Sequence, residues 1–293
     1  MTDSIAILPA AQLAALNEGY RKAIAKRQRR SFLALAVFIG MLALAMRGAE
    51  VDIAALTGKI GNFFSYFDRI FRLDSGLRVW NDPVEWFWGL KSWLPLLGET
   101  LLISYVGTMI GFVFAFALNF LAAKNTTPNR WLQLLVPRFL EFCRTVPDIV
   151  FALVFVIAFG LGPMAGVLAI AIHSTGALGK LFTEIVENAD MNPVEGLRST
   201  GASWISSMRF AVVPQVLAGF ASYSLLRFEI NVRGASVMGF VGAGGIGQEL
   251  IVSVRKFYYS DVSAILLLII VTVFTIDIAT GWLRRRLFSE ERA

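Results

Sequence analysis

The chain has very few of the side chains that build catalytic and metal centres. Cys143 is the only cysteine and His173 the only histidine among the 293 residues. One cysteine excludes an internal disulfide and a cysteine-rich metal site. One histidine excludes a His-rich metal centre, and no serine–histidine constellation is evident. The sequence therefore predicts no catalytic residue, no bound metal and no enzyme activity.

Charge is also scarce. Only 16% of the residues are charged and 56% are apolar, with a mean hydropathy of +0.65. An ordinary soluble domain is roughly a quarter charged. So few charges cannot cover a core of this size with a water-facing surface, and much of the protein must face lipid. We predict an all-α, polytopic membrane protein.

The net charge of +6 comes mostly from basic clusters near the two ends. Nucleic-acid binding is one interpretation of a basic chain. Here the clusters flank apolar runs, which is typical of orientation signals in membrane proteins. We therefore expect contact with membrane lipid and no nucleic-acid partner.

Six apolar stretches predict six transmembrane helices. They cover residues 32–46, 99–123, 132–160 with a break at Pro147, 164–187, 210–232 and 262–283. The first stretch also fits a signal peptide that is cleaved near Ala43-Leu44-Ala45, but the long tail before it favours an uncleaved anchor. In the second stretch, Gly107 and Gly111 form a small-residue face for close helix contact.

Six spans put both termini on one side, and the basic residues near each end place that side in the cytoplasm. Residues 124–131 and 188–209 are then cytoplasmic, whereas 47–95 and 234–258 are external. Tryptophans crowded before the second span predict an interfacial helix within 47–95. We divide the chain into residues 1–95, with the tail, first helix and external loop, and a transmembrane domain of residues 96–287.

Several polar side chains lie within the predicted spans, where each charge costs about 2.5–3.5 kcal/mol. They are Arg144, Asp148, His173, Arg227, Glu229, Asn231 and Arg233. Helical spacing puts Tyr223, Arg227 and Asn231 on one face and lets Glu229 reach Arg233. Two interpretations remain open: internal ion pairs that join helices, or a polar path whose arginine surplus suits an anion.

A glycine-rich stretch fits the G-x-G-x-x-G pattern by letter at Gly242, Gly244 and Gly247, with Gly245 between them. A dinucleotide site also needs a surrounding βαβ unit, which the membrane setting excludes. We predict instead a flexible loop with exposed amides at the outer mouth of a path, able to gate it or to touch the substrate.

The chain has no phosphate-binding loop of its own. The run from Gly176 to Lys180 is too short for the G-x-x-x-x-G-K-[ST] pattern and continues with Leu181. We therefore expect no cofactor on this chain, and ATP and Mg to be used by a partner subunit.

The segment 193–204 carries the most specific pattern. It reads Glu195-Gly196-Leu197-Arg198-Ser199-Thr200-Gly201, and Ala211-Val212-Val213-Pro214 follows after nine residues. This pattern resembles the coupling motif of bacterial ABC importer permeases, with departures at Leu197 and Ala211. A short helix from near Pro193 to Gly201 is expected, and the resemblance implies ATPase coupling by Glu195, Gly196, Arg198, Gly201 and Pro214.

From about residue 98 to 285 the chain resembles the phosphonate ABC-importer permease family. The resemblance rests on Phe142-Cys143-Arg144, the run 160–169, Asn192-Pro193-Val194-Glu195-Gly196, Val213-Pro214-Gln215-Val216, Arg227-Phe228-Glu229-x-Asn231-Val232-Arg233 and the run 241–247.

This resemblance implies a type I importer (MetI-like) permease fold in the bacterial inner membrane. It also implies a second permease copy, an ABC ATPase dimer, a periplasmic phosphonate-binding protein and phosphonate as the substrate. The alternatives are a permease for another small anion, such as phosphite, a phosphate ester or a sulfonate, and an ion-coupled secondary transporter.

Overall fold

The computed structural model describes residues 10–127 and 129–290. The first nine residues of the predicted tail lie outside the described residues. The chain divides into two compact units, Met1–Ser65 and Tyr66–Ala293.

The first unit contains one long helix. α1 spans Ala10–Gly48, and its part Asn17–Gly48 is long and apolar enough to cross a membrane. The basic tail and the first predicted span therefore form one continuous helix, since no proline interrupts residues 10–48. A second helix, α2, spans Ile53–Ile70 and begins within this unit. Helix α2 lies in the stretch 47–95 for which an interfacial helix is predicted, and the position of this stretch at the membrane interface stays a prediction.

The second unit holds most of the chain. Its helices are α3 (Pro83–Trp86), α4 (Leu90–Ala122), α5 (Arg130–Thr145), α6 (Asp148–Phe159), α7 (Pro163–Glu187), α8 (Asn192–Ser199), α9 (Trp204–Ser207), α10 (Val213–Met238), α11 (Ile246–Lys256) and α12 (Tyr259–Glu290). A π-helical turn, Met208–Val212, joins α9 to α10, and 3-10 turns occupy Val79–Asn81 and Gly239–Val241. The described residues contain no strand beyond one isolated bridge between Arg72 and Arg78. The all-α prediction is confirmed.

Five helices of the described chain can cross a membrane, or six if the bent pair α5–α6 counts as one span. That pair bends by 84° at the predicted break. The cause is Pro147, which lacks a backbone N–H and disfavours the helical conformation at the residue before it. Val146 is accordingly extended, with φ −73° and ψ 123°. The prediction of six spans, the third broken at Pro147, matches this count.

Two glycines let α4 and α7 pack closely. A Cβ at Gly107 would lie 2.7 Å from Ile170 Cγ2, and one at Gly111 would lie 2.6 Å from Ser174 Cβ. The small-residue face predicted from their spacing is therefore the α4–α7 interface. Nearer the end of α7, the rings of Phe182 and Phe220 stack with centroids 4.0 Å apart and join α7 to α10.

The segment before α4 packs against the start of α12. Trp86 Nε1 donates to Ser263 Oγ at 3.0 Å, and Trp88 Nε1 donates to Asp261 Oδ1 at 2.9 Å. These two bonds join the segment before α4 to α12 within the second unit. The functional division expected between residues 95 and 96 stays a prediction.

Candidate functional site

The segment predicted to couple to an ATPase is a short surface helix. α8 spans Asn192–Ser199, with Pro193 in its first turn. Glu195, Gly196 and Arg198 are exposed along it. Gly201 has a φ of +83°, which only glycine adopts without strain. The helix and its glycine end match the sequence pattern, and the coupling role stays a prediction.

One side of α8 is fixed to the core. Val194 is fully buried in the cluster that contains Phe182 and Phe220, and Leu197 packs against the same cluster. This contact gives a physical reason for the departure from a small residue at 197. One face of α8 is therefore packed against the ends of α7 and α10.

Two hydrogen bonds join the segments on either side of α8 to the α4–α5 connection and to α10. Trp204 Nε1 donates to the Thr126 carbonyl at 2.8 Å, and Gln215 Nε2 donates to the Asp190 carbonyl at 3.0 Å. Pro214, the last residue of the predicted motif, is exposed in the first turn of α10. It follows the π-helical turn, a rare element that often marks functional positions.

Arg227 and Asn231 of α10 meet α7 at a shared hydroxyl. Arg227 Nε donates to Ser174 Oγ at 3.2 Å, and Asn231 Nδ2 donates to the same atom at 2.8 Å. Asn231 Nδ2 also donates to Thr108 Oγ1 of α4 at 2.8 Å. The predicted common face of Arg227 and Asn231 is thus confirmed, and it is directed at α4 and α7. Tyr223, predicted on the same face, is exposed.

The break between α5 and α6 brings further polar groups to this region. Arg144 lies exposed in the last turn of α5, and Asp148 opens α6. The Asp148 carboxylate interacts electrostatically with both His173 and Arg227. Nδ1 of His173 is 3.0 Å from the Val146 carbonyl, in the break itself. The four predicted path residues Asp148, His173, Arg227 and Asn231 therefore lie in one polar region.

Glu229 and Arg233 have a different setting. Glu229 is buried and forms an ion pair with Arg233 one turn on. Its other oxygen lies 3.7 Å from Arg284 Nη2 and 3.5 Å from Thr280 Oγ1, both on α12. These contacts fit the first of the two sequence interpretations, an ion pair that joins helices. Arg233 is half exposed and borders a cavity of about 410 Å³ with Asp277.

The glycine-rich stretch is not the flexible, exposed loop that its composition predicts. Residues 243–247 are buried, and α11 begins at Ile246. Gly242, Gly244 and Gly245 have positive φ values, and a Cβ at Gly244 would lie 2.9 Å from Glu99 Oε1. A Cβ at Gly247 would collide with the Ser236 carbonyl. These glycines allow close packing of a rigid turn rather than mobility.

Two polar partners of the site were missed in the sequence. Ser174 and Thr108 are fully buried. Serine and threonine hydroxyls within spans usually bond to their own helix, so the sequence does not distinguish these two residues from other hydroxyl residues. The signal available was position: Ser174 follows His173 directly, and Thr108 follows Gly107 of the small-residue face.

Outside the spans, a small charged group stabilises the segment that follows α2. Arg72 Nε donates to Asp68 Oδ2 at 2.8 Å, and Arg78 lies 2.8 Å from Asp68 Oδ1. The hydrogen bond from Arg72 is the main reason why the pKa of Asp68 lies below its usual value.

Comparison with known proteins links this architecture to transport. The family described as binding-protein-dependent transport system inner membrane component matches residues 107–289. The phosphite transport system permease protein PtxC of Stutzerimonas stutzeri is 42% identical over 199 residues, covering 68% of this chain and 72% of that protein. The phosphate-import permease protein PhnE of Mycolicibacterium smegmatis is 40% identical over 195 residues, covering 67% of this chain and 37% of that protein.

A solved structure shares the fold. An inward-facing form of the MetNI methionine ABC transporter superposes with a TM-score of 0.59 at 19% identity, over 70% of this chain and 98% of that chain. At this identity the likeness concerns the fold alone, and it confirms the predicted type I importer (MetI-like) architecture.

Proposed function

Because this chain belongs to the family of binding-protein-dependent transport system inner membrane components, we propose that it is the permease subunit of an ATP-driven phosphonate importer. It moves phosphonate from the periplasm to the cytoplasm across the bacterial inner membrane. The subunit carries no ATPase of its own, and a separate ATPase hydrolyses ATP. The observation that carries this proposal is the family match. Its residues, 107–289, include both α8 and the polar region.

The substrate assignment rests on two independent supports. Curated relatives are named for phosphite and phosphate, and PhnE2 of Escherichia coli K12, named as a cryptic phosphonate transport system permease, is 48% identical over 118 residues. All three names refer to oxyanions with a phosphorus centre. Within the spans, Arg144 and Arg227 have no carboxylate within ion-pair distance among the described residues, so both cations can still pair with an anion.

Phosphite is the second candidate substrate, because the 42% identical relative is named for it. Phosphate esters and sulfonates are the remaining small anions to compare. Uptake competition among these four anions, with the cognate binding protein present, separates them. An ion-coupled secondary transporter is not favoured, since it would leave α8 unexplained and would transport without any ATPase.

Energy coupling follows from the way α8 is held. Its exposed face, with Glu195 and Arg198, docks onto an ABC ATPase dimer that uses ATP and Mg. Its buried face, through Val194, passes the movement to α7 and α10. Two copies of the permease enclose the path, and both termini lie in the cytoplasm with the ATPases.

Transport then proceeds by alternating access. A loaded phosphonate-binding protein docks on the external face, formed by the segment after α2 and the turn around Phe257. ATP binding draws the α8 helices together and opens the path outward. The anion passes Arg144 and Arg227 and leaves inward after hydrolysis, while Arg233 is neutralised by Glu229.

Reconstituted proteoliposomes with the ATPases and the binding protein test this function. We expect ATP-dependent phosphonate uptake that Glu195→Gln abolishes, with normal membrane insertion and less ATPase in the purified complex. Glu184→Gln is the matched control, because Glu184 is an exposed acid of α7 that lies outside α8. Uptake without ATPases would overturn the proposal, and normal uptake by Glu195→Gln and by Gly201→Ala would overturn the coupling assignment.

A further inference from the structure

Asn231 connects three helices in the interior of the second unit. Its amide nitrogen donates to Thr108 Oγ1 on α4 and to Ser174 Oγ on α7. All three side chains are almost fully buried. A buried polar cluster of this kind is stable only if its donors and acceptors are matched, so each group can be checked in turn.

The hydroxyl of Thr108 fixes the orientation of the Asn231 amide. Thr108 Oγ1 donates its only hydrogen to the Ser104 carbonyl, at 2.5 Å. It can therefore only accept from Asn231, and the Asn231 atom that faces it must be the nitrogen. Both hydrogens of that nitrogen are then used, one on Thr108 and one on Ser174.

The other end of the same amide is left open. Asn231 Oδ1 is buried and accepts no hydrogen bond from any described residue. Such an atom destabilises the fold unless something donates to it. The cluster thus has a free acceptor where the side chain is 1% exposed.

The same cluster also contains donors that no described residue accepts. Ser174 Oγ accepts from both Arg227 and Asn231, and its own hydrogen has no acceptor among residues 10–127 and 129–290. Arg227 donates to Ser174 through Nε. Its two terminal nitrogens donate to no described residue. A guanidinium held in this way can present both terminal nitrogens to one oxyanion.

We propose that Arg227, Ser174 and Asn231 form a binding site for a tetrahedral oxyanion that carries one acidic hydrogen. The charged oxygens of the anion accept from Arg227 and from the Ser174 hydroxyl, and its O–H group donates to Asn231 Oδ1. A singly protonated phosphonate or phosphite has both kinds of group. A sulfonate has no O–H group near neutral pH and leaves Asn231 Oδ1 unpaired. This inference rests on the proposed transport of phosphorus oxyanions.

The surrounding charge favours the same form of the ligand. Asp148 interacts electrostatically with Arg227 and so offsets part of its positive charge. A dianion at Arg227 would meet more repulsion from that carboxylate than a monoanion would. The protonated monoanion is therefore the better match in charge as well as in hydrogen bonding.

Direct binding to the purified permease–ATPase complex, without the binding protein, tests the site. The probe is methylphosphonate, followed by broadening of its ³¹P resonance at one fixed near-neutral pH. The competitors are methanesulfonate and dimethylphosphinate, two tetrahedral anions without an O–H group. Phosphite, which has an O–H group as a monoanion, is the reference competitor, and we expect both other anions to compete about tenfold more weakly than it does, the value of roughly one hydrogen bond.

Substitutions test whether the anion binds at these residues. Asn231→Leu and Ser174→Ala should each abolish most of the broadening. Thr183→Val is the matched control, because the buried Thr183 hydroxyl on α7 donates only to the Gly179 carbonyl of its own helix. The comparison of competitors uses the unaltered protein and so does not depend on the variants folding.

Two results would overturn the inference while leaving the import function intact. One is equal competition by methanesulfonate, which would mean that charge alone decides binding. The other is no broadening by the unaltered complex, which would mean that water completes the cluster. Failure of the import function is seen separately, as absence of ATP-dependent phosphonate uptake in proteoliposomes.

Discussion

Gly111 on α4 and Ser174 on α7 are in such close contact that a Cβ at position 111 would lie 2.6 Å from Ser174 Cβ. This contact sets the spacing of the two helices at the level of the polar cluster. It also links the packing of the spans to the geometry of the proposed anion site, because Ser174 accepts from Arg227 and Asn231.

Gly111→Ala should therefore lower the stability of the folded protein. Overpacking of this kind costs about 1–3 kcal/mol, and thermal unfolding of the detergent-solubilised protein measures it. Gly98→Ala is the control, since Gly98 also lies in α4 and a Cβ there would meet nothing within 4 Å. Equal unfolding temperatures for the two variants would contradict the close packing.

Glu229→Ala should destabilise the protein. The variant leaves Arg233 and Arg284 without their shared carboxylate, and because both arginines are partly exposed, the loss of these charged hydrogen bonds should cost about 1–3 kcal/mol. Glu184→Ala removes an exposed pair with Lys180 and should cost about 0–1 kcal/mol. If the Glu229→Ala protein instead unfolds at the same temperature as the unaltered protein but fails in uptake, Glu229 belongs to the substrate path.

The sequence was sufficient for the helices and for the main break. Hydropathy located the spans, and Pro147 alone predicted where the third would bend, because a proline removes a backbone donor whatever surrounds it. The spacing of Gly107 and Gly111 likewise predicted a close helix contact. These features depend on local chemistry that the tertiary structure does not override.

The site was harder to predict because its contacts join residues far apart in the chain. The spacing of Arg227 and Asn231 indicated a shared face, but nothing local showed that this face meets Ser174. The wrong prediction of a flexible loop at residues 243–247 has the same origin. Glycine permits both a mobile loop and a tightly packed turn, and only the neighbours, such as Glu99, decide between them.

Arg227→Lys should reduce phosphonate uptake by about tenfold or more although it keeps the positive charge. Lysine has no Nε–H to donate to Ser174 and cannot present two parallel donors to an oxyanion. Arg138→Lys, at an exposed arginine of α5 that pairs with Glu141, should leave uptake unchanged. Initial rates over a range of substrate concentrations measure the effect. Equal rates for the two variants would place the substrate path away from Arg227.

The end of α8 offers a graded test of the coupling role. Gly201 has a φ of +83°, and a residue with a Cβ pays roughly 1–2 kcal/mol in that conformation. Asparagine adopts it more readily than alanine. Since nothing lies within 4 Å of a Cβ at Gly201, any loss must come from the backbone and not from a clash.

Uptake should therefore be highest in the unaltered protein, lower in Gly201→Asn and lowest in Gly201→Ala. Membrane insertion should be unchanged, and the amount of ATPase that co-purifies should fall in the same order. Gly98→Ala is the control, because Gly98 lies outside the coupling segment, has no positive φ and has no neighbour within 4 Å of a Cβ. If Gly201→Ala and Gly201→Asn transport equally well, the backbone at this position does not set the angle of α8. If uptake falls while ATPase co-purification is unchanged, α8 transmits the movement without holding the partner.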